Sequence, residues 1–393
     1  MATVQALREW FWNERVWLPG NATWDDFENP PPGQYYPLER HILFPSFFLG
    51  IFLLGIRFVY ERCLVVPFAK YMGLTFKKTY RVERNPTLEA VYVTDKYPEQ
   101  ELVQKSTSLQ ELSKKTSLPE RQIQRWFRHR RSQDIPGRMK KFRECSWHFL
   151  FYLSSFVIGM YVLWDKPYFW DSKHCWISSG RQHVPNDVYW YYTIELGFYW
   201  NLVFTLVTDH KRKDFRELVV HHFVTMMLIY FSFAANQVRI GTLVLLVHDA
   251  VDFWLAGAKM ANYVKKPTLT DILFGVFFVV WIITRMYIYP FRVVWSATFI
   301  SLEHIEIWPA YWILNILLWV LQVLHIIWTY MICRIMATKF TGDKKLKDLS
   351  SDTEVSTGGE EDDIIKGKKG VANGSPAMSR NPKAADSRKK RRA

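Results

Sequence analysis

Three apolar stretches, residues 42–60, 271–290 and 311–333, decide what this chain of 393 residues can become. Each holds about 20 residues, enough for a helix to cross a hydrocarbon core roughly 30 Å thick. Four weaker candidates lie at 149–164, 187–207, 216–235 and 240–257. Together they predict seven spans in an all-α integral membrane protein. The mean hydropathy of −0.10 suits a soluble chain only because it averages these blocks with charged ones. About 40 polar and aromatic residues precede the first span, so it reads as an anchor, not a cleaved signal peptide.

The net charge is +14. Residues 1–41 are acidic and aromatic, whereas Arg62, Lys70, Lys77 and Lys78 follow the first span (42–60). That asymmetry places the N-terminus in a lumen and residues 61–137, a linker plus a helical insert, in the cytosol. A membrane domain is expected over 138–340, and a disordered cytosolic tail over 341–393. Asn21-Ala22-Thr23 is a glycosylation acceptor in a lumenal segment. Ser350 and Ser351 stand beside an acidic block and suit an acid-directed kinase; a plain solvated tail is the alternative. Of Cys63, Cys145, Cys175 and Cys333, only Cys175 falls in a lumenal loop, which argues against a disulfide framework or a zinc site.

Within the insert, SLQELSKKTSLPERQIQRWFRHRRSQ reads as helix, turn, helix, with Ser117 and Pro119 at the second start. Ile123, Trp126 and Phe127 share a face; Arg125, Arg128, Arg130 and Arg131 lie elsewhere. The segment resembles the recognition helix of a homeodomain. There the residue that reads adenine is Asn, and here it is His129, which removes the bidentate amide contact. The membrane tether also argues against sequence-specific DNA binding. A basic face meeting lipid heads or an acidic partner is the plainer reading.

The chemistry is expected in two spans. RELVVHHFVTMMLIYFSFAA carries His221 and His222; IGTLVLLVHDAVDFWLAGA carries His248, Asp249 and Asp252. Ionisable groups at membrane depth are costly and usually functional. His221 and Asp252 each lie five residues inside the cytosolic end of their helix, roughly 7–8 Å deep. His248, Asp249 and Asp252 are read as sharing a face. Adjacent His221 and His222 point about 100° apart and cannot share one role. A carboxylate on Nδ1 of the cavity-facing histidine would make it a general base or a nucleophile. Satisfied structural polar residues, a metal site and a proton relay are the competing readings. Glu195 and Arg285 are further intramembrane charges that pair or line a cavity.

Residues 211–263 resemble the Lag1 motif of ceramide synthases, within the wider group of TLC-domain proteins. EWFWNERVWLPGNATWDDFE, the homeodomain-like insert and YWYYTIELGFYWNLVF agree, so the likeness covers about residues 8–340. Family members often carry an acidic residue four positions after the last Asp; here it is Ala256. The resemblance implies transfer of a fatty acyl group from acyl-CoA to the amine of sphinganine or sphingosine, giving (dihydro)ceramide, in the endoplasmic reticulum membrane. It implies that His221, His222, Asp249 and Asp252 carry catalysis, with His248 beside the substrate. It implies that the loop near Thr298–Pro309, with Glu303, Glu306 and Trp308, selects chain length, and that homodimers or heterodimers with relatives form. A thioester is already activated, so no metal or ATP is expected. Lys211, Arg212 and Lys213 suit the CoA phosphates, or serve as positive-inside anchors. The competing classes are a lipid sensor or carrier of the same fold, which needs no nucleophile, and a metal-dependent lipid oxygenase.

Overall fold

The computed structural model describes residues 2–20, 22–76, 81–94, 106–134, 137–206, 209 and 214–341. Its regular elements are all helical. The long ones are α1 (Glu39–Tyr60), which runs on to Tyr71 through a π-turn at Glu61–Val65, α2 (Pro86–Thr94), α3 (Ser106–Thr116), α4 (Glu120–Asp134), α5 (Arg138–Leu163), α6 (Asn186–Thr205), α7 (Phe215–Ala234), α8 (Val238–Tyr263), α9 (Pro267–Trp281) and α10 (Pro309–Thr341). After Trp281 the chain continues as a π-helix over Ile282–Val294.

Among the described residues, six helices are long and apolar enough to cross a membrane, not the seven expected: Glu39–Tyr71, Arg138–Leu163, Phe215–Ala234, Val238–Tyr263, Pro267–Glu303 and Pro309–Ala337. The remaining expected span exists as α6, a 20-residue helix. Tyr, Asn and Glu lower its hydropathy, and it spends them inward: Tyr191, Tyr192, Glu195 and Asn201 are all buried. The lipid-facing pattern is plain on α10. Trp312, Ile316, Trp319, Val323 and Ile326 are exposed at helical spacing, while Leu314, Leu318, Leu321 and His325 on the opposite face are buried.

α5 packs along α8, α6 along α1, and α8 along α9. Gly50 and Gly197 let α1 and α6 approach closely; a Cβ on Gly50 would stand 2.6 Å from Trp200 Cβ. At one end of the bundle lie the N-terminal segment, the 165–185 connection, the tight turn at Asn236 and Trp308. Arg181 pairs with Asp26 at 2.9 Å, Val184 N–H donates to Tyr35 O, and Asn236 Nδ2 donates to Gln182 O. Asn236 has φ +54°, the left-handed region where Asn substitutes for Gly. Trp12, Trp17 and Trp24 pack there beside Trp308 and Tyr311. The opposite end is tied by a buried charge network: Arg57 bonds Glu61 at 2.7 Å and Asp209 at 2.9 Å, and Arg143 also reaches Glu61.

The insert is a three-helix unit, α2–α4, closed around Leu88, Tyr92, Leu109, Leu112, Ile123, Trp126 and Phe127. Trp126 Nε1 donates to Glu83 O. Arg130 is turned inward onto Glu89 at 2.8 Å and lies over the Tyr92 ring, whereas Arg121, Arg125 and Arg128 face outward. Partial burial, then the charges of Arg125 and Arg128, hold the His129 imidazole below its ordinary range.

Candidate active site

Helices α7, α8, α10 and the π-segment converge on three histidines. The His221 ring lies 6.2 Å from that of His248, nearly parallel at 18°, and Trp328 of α10 stands edge-on to it at 5.4 Å. His248 is buried; its Nδ1–H donates to Val244 O at 2.6 Å, which fixes the tautomer and leaves Nε2 with a lone pair. That Nε2 is buried and has no hydrogen-bond partner among the described residues. Tyr289 and His325 flank His248 at ring distances of 5.4 and 5.1 Å. Arg285 closes the group. One Nη2–H donates to His248 O at 2.9 Å, Nη1 lies 3.4 Å from His325 Nε2, and Nη2 stands 3.6 Å from Asp252.

The HDxxD residues do not share one face, contrary to expectation. Asp252 turns toward Arg285, which also bonds the backbone carbonyl of His248 one turn before it. Asp249 sits about 100° further round and faces α5 and α6, where it accepts from Ser155 Oγ at 2.7 Å. Ser155 also bonds Glu195. A hydroxyl has one proton to donate, so this bridge between two carboxyl groups needs a proton on one of them. The expected carboxylate on His221 is likewise missing: its Nδ1 is buried with no partner among the described residues. The reason is helix geometry, since the two carboxyls meet donors on different neighbouring helices, Ser155 for Asp249 and Arg285 for Asp252.

The adjacent histidines do part ways. His222 turns toward Tyr199 of α6, at 6.0 Å between rings. It lines a cavity of about 590 Å³ with Lys141, Glu144, His148 and Asp209. Lys211, Arg212 and Lys213 lie outside the described residues, as do Asn21, Ser350 and Ser351. Their neighbour Asp214 is fixed, accepting from Trp328 Nε1 at 3.2 Å.

A second cavity, about 600 Å³ and almost wholly apolar, begins where the histidines end. Thr225 is one turn beyond His221, Val244 one turn beyond His248, and Leu318 two turns beyond His325; all three line it. It extends along α8 from Leu245 to Gln237, roughly 12 Å. Most of its hydroxyls are committed: those of Tyr192 and Ser232 lie 2.6 Å apart and Tyr311 Oη donates to Thr298 O, while Thr225 Oγ1 has no partner among the described residues. Gly241 is required here, because a Cβ would stand 1.9 Å from Tyr192 Oη. Trp308 lines the far end, whereas Glu303 and Glu306 are exposed and do not.

Sequence reasoning missed Ser155, Tyr289, His325 and the Trp281–Trp328 pair. His325 was within reach: it interrupts an apolar span just as His221 does. No group of three or more His, Cys, Asp or Glu side chains among the described residues is arranged to hold a metal ion.

Residues 141–334 match the family model described as TLC domain, and residues 76–134 match the homeodomain model. Over most of its length the chain is similar to three human proteins. It is 43% identical to ceramide synthase 5 over 92% of this chain and 90% of that protein. It is 37% identical to ceramide synthase 4 over 97% and 96%. It is 39% identical to ceramide synthase 3 over 88% of each.

Proposed function

The chain belongs to the ceramide synthase family of acyltransferases, and from that premise we propose that it acylates the amine of a sphingoid base with a fatty acyl-CoA. One observation carries the reading. An apolar cavity suited to an acyl chain starts one helical turn from the His221–His248–His325 cluster and runs to the opposite end of the bundle. A thioester carbonyl at the histidines would thus leave its chain in the cavity and its CoA toward the Asp214 end.

His221 is the reacting imidazole in this scheme, as nucleophile or general base. It faces the cluster, and no bond commits its Nδ1. The amine must shed a proton before attack, and the imidazole is the group that takes it. Asp249 and Asp252 hold α8 in place through Ser155 and Arg285, so they act as positioning residues for His248. The site is in the endoplasmic reticulum membrane, with CoA phosphates met by Lys211, Arg212 and Lys213.

The test uses purified full-length protein with sphinganine and a panel of acyl-CoAs. Free thiol and N-acyl sphinganine should appear together. Thiol release without amide, or neither product, sinks the reading. No metal or ATP enters the scheme, so turnover should persist after exhaustive chelation. Loss of activity on stripping, restored by one metal, would favour a metal-dependent enzyme.

A further inference from the structure

We propose that Arg285 is a catalytic residue of the acyl transfer, its Nε–H and positive charge holding the oxyanion formed at the thioester carbonyl. This rests on the acyltransferase reading above. Arg285 is 3% exposed within a membrane-spanning segment. A buried guanidinium there is costly unless it works or is fully paired. It is not fully paired. Its terminal nitrogens are anchored to His248 O, His325 and Asp252, but its Nε is buried with no hydrogen-bond partner among the described residues. Three anchors fix the fork and leave one donor uncommitted.

The position fits the chemistry. Arg285 is bonded to the backbone of His248, whose ring stacks on His221. Trp281 lies under the guanidinium at 5.4 Å, its ring 6.5 Å from that of Trp328, which touches His221. The reacting imidazole and the guanidinium therefore share their neighbours. Of the side chains in contact with His248 among the described residues, Arg285 alone carries a permanent positive charge. Of the other nearby donors, Tyr289 Oη–H is spent on Leu318 O, and His325 Nδ1, also without a partner among the described residues, belongs to a ring with no permanent charge. The backbone also changes here. The α-helix widens to a π-helix at Ile282, three residues before Arg285, and such turns recur at functional sites.

The step balances as follows. A nucleophile's lone pair, from His221 or the amine, forms a bond to the thioester carbon. The C=O π pair moves onto oxygen, where Arg285 holds it. On collapse the C–S bond breaks and CoA leaves as thiolate. Where the amine attacked first, this collapse gives the amide; where His221 did, it gives an acyl-imidazole, whose carbonyl the amine then attacks through a second oxyanion at Arg285, breaking the C–N bond to the ring. On either route the proton lost by the amine ends on the thiolate, directly or through His221, giving amide and free thiol. Arg285 neither gains nor loses a proton.

The experiment compares wild type with Arg285→Gln, Arg285→Lys and the double variant Arg285→Gln/Asp252→Asn, which removes the Asp252 charge together with the Arg285 charge facing it. Each is assayed for kcat and KM in acyl transfer to sphinganine, for thermal stability, and for binding of two probes. One probe is an S-alkyl-CoA thioether, which has no carbonyl. The other is the matching trifluoromethyl ketone, which accepts a nucleophile and develops an oxyanion. Arg285→Gln and the double variant should lose about 10²–10³-fold in kcat with KM for acyl-CoA within about threefold. The ketone's advantage over the thioether should vanish while thioether affinity stays. Arg285→Lys should remain at least about tenfold down, because its amine lacks the Nε donor. Near-normal kcat in any folded glutamine variant overturns the proposal. So does a parallel loss of both probes together with stability, which would mark Arg285 as structural. Absence of acyl transfer in wild type would instead overturn the reaction, which the variants do not judge.

Discussion

At the scale of the residue, two neighbouring histidines are separated by 100° of helix and so by environment. His221 stacks on His248 against Trp328, while His222 faces Tyr199 and a polar cavity. His221→Ala should therefore reduce acyl transfer by at least about 10³-fold while the protein inserts and folds, since Nδ1 of the ring has no hydrogen-bond partner among the described residues. Turnover of the folded variant by the coupled thiol assay is the check, and near-wild-type rates would remove His221 from the mechanism. Sequence alone could select these residues, because cost at membrane depth singles out charge and imidazole. It could not assign their partners. His248, Asp249 and Asp252 look equivalent on a wheel, yet Asp249 goes to Ser155 and Asp252 to Arg285. Those partners sit 94 and 33 residues away by position, and no local pattern links them.

At the scale of the element, apolar length made most spans legible, for hydrocarbon thickness leaves little choice. α6 was legible only as a weaker candidate at 187–207, because it buries its polar groups and so reads as weakly apolar. The π-helix at Ile282–Val294 has no sequence signature beyond Pro290, whose missing N–H loosens the ladder. The connection between the last two spans is a sharper case. Trp308 lines the end of the apolar cavity and packs with Trp17 and Tyr311; Glu303 and Glu306 point away. Trp308→Ala should shift the product spectrum toward longer acyl chains, each added methylene gaining up to about 0.8 kcal/mol where room is made. Glu303→Ala and Glu306→Ala should leave it unchanged. Product profiles by mass spectrometry from an equimolar acyl-CoA mixture decide this. An unchanged profile for Trp308→Ala, or a shift from either glutamate, would place selectivity elsewhere along the spans.

At the scale of the whole molecule, what matters is which end of the bundle meets water containing CoA. The N-terminal segment, the 165–185 connection and Trp308 are joined at one end by Arg181–Asp26, Val184–Tyr35 and the tryptophan cluster. Asp209 and Asp214 lie at the other, tied to Arg57 and Trp328. His221 is seven residues from Asp214, roughly 10 Å along the helix, and so nearer that end. The apolar cavity occupies the remaining depth. Only if the Asp214 end is cytosolic does CoA stay in the compartment that supplies it while the chain runs toward the lumenal leaflet. The Lys and Arg that follow the first span argue for that orientation. In sealed microsomes, added protease should then cut within the 61–137 region and spare 165–185. Asn21 should carry a glycan, lost in Asn21→Gln as a single mobility step. Protection of 61–137 with cutting at 165–185 would invert the bundle. The histidines would then open to the lumen, and the acyl donor would need a carrier across the membrane that this arrangement does not provide.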